Sequence, residues 1–204
     1  MKTRKNFAAK AIGIAVFALA GVTPQLAFAQ GRISVELRPG VNFATRNLGD
    51  ADLKTGFGVE GIFAYQFLRH FGIYAGWGLN RFNARESFAG PDVNFEETGY
   101  SYGLQFMHAI GQSNVSLLGR AGVLSNHIEI EDNRGDVIGG SGHGFRDGIG
   151  WQIEGRVAWP LAERWLVIPS LRYRSLPRVI RIGAADTDVV LSYISLGMGI
   201  ARTF

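Results

Sequence analysis

Along residues 55–67 every second position, Phe57, Val59, Gly61, Phe63, Tyr65 and Phe67, carries the bulk, while Gly56, Gly58, Glu60, Ile62, Ala64 and Gln66 fall between. Residues 70–81 divide the same way, Phe71, Ile73, Ala75, Trp77 and Leu79 alternating with Gly72, Tyr74, Gly76, Gly78 and Asn80. A period of two over such lengths is the signature of a strand, because successive side chains of extended backbone point to opposite faces. Only Leu68 and Arg69 lie between the runs, which predicts a tight antiparallel hairpin.

Six more runs carry the same alternation. Run 33–44 sets Ile33, Val35, Leu37, Val41 and Phe43 against Ser34, Glu36, Arg38, Gly40 and Asn42. Run 98–108 sets Tyr100, Tyr102, Leu104 and Phe106 against Gly99, Ser101, Gly103 and Gln105, and run 115–126 sets Leu117, Ala121 and Val123 against Ser116, Arg120, Gly122 and Asn126. The remaining three are 148–158, with Gln152, Glu154 and Arg156 on its polar face; 165–174, with Ser170, Arg172 and Arg174; and 189–204, with Tyr193, Ser195, Gly197 and Gly199. Connectors alternate as well: short ones follow the second, fourth and sixth runs, longer polar ones the first, third, fifth and seventh.

Alternation alone does not identify the solvent on the greasy face; the other face does. Strands that face water carry Lys, Glu and Thr, whereas here the small face offers Gly, Ser, Asn and isolated charges, as the crowded interior of a narrow barrel requires. The greasy face then meets lipid, and the chain is predicted to be an all-β protein, an eight-stranded antiparallel up-and-down transmembrane β-barrel. The aromatic residues sort by strand end: Tyr65, Phe67, Phe71, Phe106, Trp159, Trp165 and Phe204 toward the short turns, Phe43, Phe57, Tyr100, Tyr102, Trp151 and Tyr173 toward the long loops. Two such belts suit the two membrane interfaces. Pro39 and Pro169 interrupt strands of a closed sheet, and bulges are expected there.

The first 29 residues stand apart. Lys2, Arg4, Lys5 and Lys10 precede an apolar stretch and Ala27-Phe28-Ala29, the pattern of a secretory signal peptide with its cleavage site; residues 30–204 then form the barrel domain. The leader changes the charge picture. The chain has 21 Lys+Arg and 17 Asp+Glu, and the leader holds four of the bases and no acids, so the remainder is balanced at 17 of each. The basic character belongs to the leader, and no nucleic-acid partner is expected. There is no cysteine, so neither a disulfide framework nor thiol chemistry is available.

Candidate chemistry sits on the inward face. Glu36, Arg38, Glu60, Arg120, Glu154, Arg156, Arg172 and Arg174 are expected to pair across the lumen as a polar plug, since eight strands leave room for side chains but not for a wide channel. Ser125, His127 and Glu129 share a face at the loop end of the fifth run, with Ser141 and His143 in the next loop. This pattern is read as rim polarity rather than catalysis, because residues two apart on a strand lie roughly 7 Å apart and a nucleophile needs its base within about 3 Å. Residues 131–144 are read as a solvated glycine-rich loop carrying Arg134-Gly135-Asp136. No cofactor or metal site is expected.

The eight runs, their connectors and the terminal Phe204 resemble the small outer-membrane barrels of the OmpA/OmpX type, the outer membrane protein β-barrel domains. The resemblance covers residues 31–204. It implies an integral protein in the outer membrane of a Gram-negative-type bacterium, and it makes Phe204, after apolar residues at 194, 196, 198 and 200, the signal read by the barrel-assembly machinery. Arg202 departs from that pattern, where an aromatic residue is common. The expected partners are outer-membrane lipids and the assembly machinery, with the chain a monomer. A structural or surface-interaction role without enzymatic activity is the primary expectation, followed by a porin-like path for small solutes or ions, and then by a lipid-modifying enzyme.

Overall fold

The computed structural model describes residues 32–111 and 114–204; the expected leader and cleavage site lie outside the described residues. The strands, in chain order, are β1 (Ile33–Ala44), β2 (Gly56–Gln66), β3 (Phe71–Ala84), β4 (Val93–Ala109), β5 (Ser116–Glu131), β6 (Val137–Ser141), β7 (Gly150–Ala162), β8 (Trp165–Ile182) and β9 (Ala185–Thr203). Each pairs antiparallel with its neighbour, and β1 pairs with β9, so the sheet closes on itself. Strands β6 and β7 share one place in the ring: both pair with β5 and with β8, β6 at the loop end and β7 below it. The result is an eight-stranded up-and-down barrel, whose closure leaves no free sheet edge.

The expected faces are the observed ones. Leu37, Phe57, Phe63, Ile73, Trp77, Leu104, Ile153, Leu171 and Leu196 are exposed on the outer wall, while Glu36, Arg38, Asn42, Glu60, Gln105, Arg120, Gln152, Glu154, Arg172 and Arg174 are buried inside. Because Leu196, flanked by Val41 and Leu171, lies in the apolar band, Leu196→Arg is expected to destabilise the barrel in lipid by about 2 to 4 kcal/mol. Urea unfolding in liposomes measures it, and an unperturbed midpoint would reverse the assignment of faces.

The prolines behave otherwise than expected. Pairing on both sides of Pro39 and Pro169 keeps one register, with no bulge at either. Pro39 stays paired with Val59, and the ladder toward β9 skips from Leu37 to Gly40 without shifting. Pro169 stays paired with Met198, and the ladder toward β7 skips from Ser170 to Val167. A missing N–H removes one rung; the packed alternation of side chains holds the rest in step, because a slip of one residue would turn every side chain to the wrong face. The register shift in this region lies instead between Pro160 and Ala162, beside the turn into β8.

The strands also run further toward the loop end than the apolar runs do. There β4 begins at Val93, β5 reaches Glu131, and β8 and β9 continue to a two-residue connection, Gly183-Ala184, with Gly183 at φ +61°. The seventh connector is therefore a hairpin, not a long loop. Residues 131–144 likewise contain β6 and a tight turn, in which Asp132 Oδ1 accepts from the N–H groups of Arg134 and Asp136, both at 2.9 Å. Those bonds hold the exposed Asp132 carboxyl below its usual range.

In this extension the chemistry of the two faces exchanges. Outside stand Arg81, Glu96, Glu129 and Glu131, with Arg81 and Glu131 paired at 2.9 Å. Inside stand Phe82, Val93, Phe95, Leu124, Ile128, Ile130, Leu176, Ile180, Val189 and Leu191, packed with Leu48, Ala51 and Leu53 from the first loop into one apolar core. Past the lipid, the sheet meets water outside and must bury its apolar face within, as any soluble sheet does.

Candidate functional site

The barrel interior is layered. At the turn end lies a small apolar cluster of Leu118, Ala158, Ile168 and Ala201, with Met107 and Leu166 against it. The apolar core just described fills the loop end. Between them is the charged layer, and each charge reaches it because strand alternation aims it inward from β1, β2, β4, β5, β7 or β8.

The structure joins all eight charges expected there. Arg156 donates to Glu36 and places its Nε 3.3 Å from Glu154. Arg38 bridges Glu154 and Glu60, the latter at 2.5 Å. Glu60 also accepts from Arg172 and, at 2.9 Å, from Arg174. Arg120 donates its Nε to Gln105 at 2.8 Å, lies 3.7 Å from Glu36 and covers the Tyr74 ring at 4.8 Å. The result is a chain of alternating charge from Glu36 to Arg174, joined by charge-assisted hydrogen bonds.

The relay continues one step further than the sequence indicated. Glu97, fully buried, lies 3.5 Å from Arg174 and accepts from Tyr193, Asn126 and, at 3.2 Å, Asn80. It lies just before the fourth alternating run, in phase with Gly99 and Ser101, so extending that alternation two residues backward would have found it. Arg178 was missed for the same reason. It is buried above the relay, where its guanidinium donates to the carbonyls of Asn126, Pro177, Gly144 and Gly148.

Glycines make room for these side chains. A Cβ on Gly199 would meet Glu36 Oε1 at 2.2 Å, and one on Gly197 would meet Arg38 Cδ at 2.9 Å. Gly199→Ala should therefore displace the Glu36 carboxylate and lower stability by about 1 to 3 kcal/mol, the usual range for overpacking. Alanine at Gly61, where a Cβ meets nothing within 4 Å, is the matching control. Equal midpoints for the two variants would contradict this packing.

Outside the lumen, at the loop end, the rings of His127 and His143 stack with centroids 4.1 Å apart, and His127 Nε2 lies 3.3 Å from Glu129 Oε1. Burial and the adjacent His143 hold the His127 pKa below its ordinary value. Side chains two apart on a strand do meet here, because both are long enough to lean along it. The Ser141 hydroxyl is committed to backbone, accepting from the Ile128 N–H at 2.8 Å and facing the Gly142 carbonyl at 3.3 Å. Phe204 ends the chain beside β1, its N–H bonded to the Ile33 carbonyl at 2.9 Å. Arg202 spans the Phe204 and Trp165 rings, 5.1 and 5.8 Å from their centroids, so a cation at position 202 still packs with the terminal aromatic pair.

A closed eight-stranded sheet with an apolar outer band and a charged, filled interior defines a class: the small outer-membrane β-barrels, consistent with an OmpA/OmpX-like fold. Solved structures share this fold. It is similar to Neisserial surface protein A, with a TM-score of 0.57 and 16% identity over 86% of this chain and 99% of the other. OprG from Pseudomonas aeruginosa superposes with a TM-score of 0.52 at 14% identity, over 86% of this chain and 99% of that one. The outer membrane protein W of E. coli gives 0.51 at 15% identity, over 87% and 100%. No family model matches the sequence, and no curated protein matches it either.

Proposed function

We propose that the chain is a monomeric integral protein of the outer membrane of a Gram-negative-type bacterium, exported by its signal peptide, with a non-conducting lumen and a structural or surface-interaction role. The observation that carries this reading is the apolar core at the loop end. Phe82, Phe95, Leu124, Ile128, Ile130, Leu176, Ile180 and Leu191 close the lumen directly above the salt-bridged layer, so an ion following the polar side chains upward meets hydrocarbon rather than water. Transfer of an ion into such a medium is prohibitive unless partners accompany it. What is presented outward is the charged exterior of the strand extensions, the turn carrying Arg134, Gly135 and Asp136, and the His127 to His143 rim.

The role is non-enzymatic in this reading, supported by a Ser141 hydroxyl engaged by backbone and rim histidines stacked on each other. Planar-bilayer recording of the purified barrel tests the proposal. The expected result is no steady single-channel current. Reproducible ion-selective steps would overturn it in favour of a pore, and altered lipid A masses in cells expressing the protein would favour an enzyme.

A further inference from the structure

The charges enclosed in the lumen do not balance. Arg38, Arg120, Arg156, Arg172 and Arg174 face Glu36, Glu60, Glu97 and Glu154, five guanidiniums to four carboxylates, with the buried Arg178 above them held only by carbonyl oxygens. Burial of an uncompensated charge is strongly unfavourable even after relaxation, so the excess calls for an anion.

The geometry says where. A cavity of about 60 Å³ at the turn end is lined by Arg32, Ser34, Glu36, Gln66, Arg120 and Arg156, among others. Arg120 is 5% and Arg156 3% exposed as whole residues, and their side chains only 2% and 0%. Yet Arg120 Nη1 and Arg156 Nη1 have no hydrogen-bond acceptor among the described residues, and Arg156 Nε has only the ion-pair contact with Glu154 at 3.3 Å. Glu36 is the single carboxylate in the lining; it lies 3.7 Å from Arg120 and already accepts from Arg156. Two buried guanidiniums and the exposed Arg32 thus surround one carboxylate. One water needs about 10 to 15 Å³ of such space, so the cavity has room for a small ion and a few waters.

We infer that this vestibule is a binding site for a small inorganic monovalent anion of the chloride class, held by Arg120 and Arg156 and entering from the turn end. The site is independent of the proposed surface role: it compensates the excess positive charge of the relay and anchors its lower end. A sugar acid such as gluconate is too large for the volume, and a divalent anion would meet Glu36 at close range.

Two measurements test it. The full chain folded in detergent is unfolded in urea at constant ionic strength while chloride replaces gluconate. A ligand bound only by the folded state raises stability with its concentration, so the midpoint should rise with chloride and level off. Arg120→Gln, which removes one of the two buried guanidiniums of the site, should abolish that dependence. Should this variant not fold, bromide soaked into crystals of the unaltered protein gives an independent readout. An anomalous peak within contact of Arg120 and Arg156 supports the site. A midpoint indifferent to chloride, the same dependence in Arg120→Gln, or bromide found only at exposed arginines such as Arg32 and Arg69 overturns it. Steady current in a bilayer would refute the closed lumen without touching this result.

Discussion

Glu60→Gln is expected to lower the unfolding free energy of the barrel in detergent by about 3 to 5 kcal/mol, the loss associated with breaking a buried ion pair from one side. Glu60 is 4% exposed and accepts from Arg38, Arg172 and Arg174. Glutamine keeps the shape but removes the charge that all three cations share, leaving them to repel one another in a low dielectric. Glu154 also serves Arg38 and Arg156, and Glu97 serves Arg174, but among the described residues Arg172 pairs with no carboxylate other than Glu60. Urea unfolding and bilayer current should be recorded on the same variant. Stability unchanged while current appears or changes would show that these charges line a conducting path and would sink the plug.

The second large effect belongs to the loop-end core. Phe95→Ala should cost about 3 to 5 kcal/mol, as truncations of fully buried aromatic side chains do. Phe95 is fully buried, with Phe88 tilted against it at 6.0 Å between ring centroids. Phe57→Ala, on the outer wall where the ring is 66% exposed, is the comparison, because in detergent its ring leaves one apolar surrounding for another. If the two variants unfold at the same denaturant concentration, the loop end is not a packed core. The pair also separates roles: only Phe95→Ala removes part of the seal above the charged layer.

The membrane-embedded part of the fold was legible because two solvents imposed two unlike alphabets. Lipid outside demanded Leu, Phe and Trp, and a narrow lumen demanded Gly, Ser and a few charges, so Glu36, Arg38, Glu60, Arg120, Glu154, Arg156, Arg172 and Arg174 could be assigned inward from alternation alone. The signal faded above the aromatic belt. There, residues such as Glu96, Glu97, Ile128 and Ile130 read as polar loop or as an end of pattern, when the phase had in fact continued and only the chemistry of the two faces had changed places. A scan that tracks phase rather than hydrophobic bulk would have followed β4 back to Val93 and β5 on to Glu131. Strand β6 lies beyond such a scan: its five residues, Val137 to Ser141, carry two glycines and are held as a strand by β5 and β8 on either side, a tertiary effect. The ion pairs were likewise beyond alternation, which gives a residue's side but not its height around a tilted, staggered barrel.

The hairpin of β8 and β9 has a practical use. Its strands run 18 and 19 residues; at about 3.4 Å per residue and a tilt near 40° they climb about 45 Å, against an apolar band of about 25 Å. Roughly 20 Å of paired sheet thus extends beyond the apolar band, and at the loop end it is core-backed and ends in the two residues Gly183 and Ala184. A peptide grafted between them would ride on a stiff mast rather than on a slack tether, its ends fixed at strand spacing, which makes this turn a display platform. An epitope tag placed there should bind antibody on intact cells while the barrel keeps its unfolding midpoint; a tag silent until the cells are permeabilised would place this end of the barrel on the other side of the membrane.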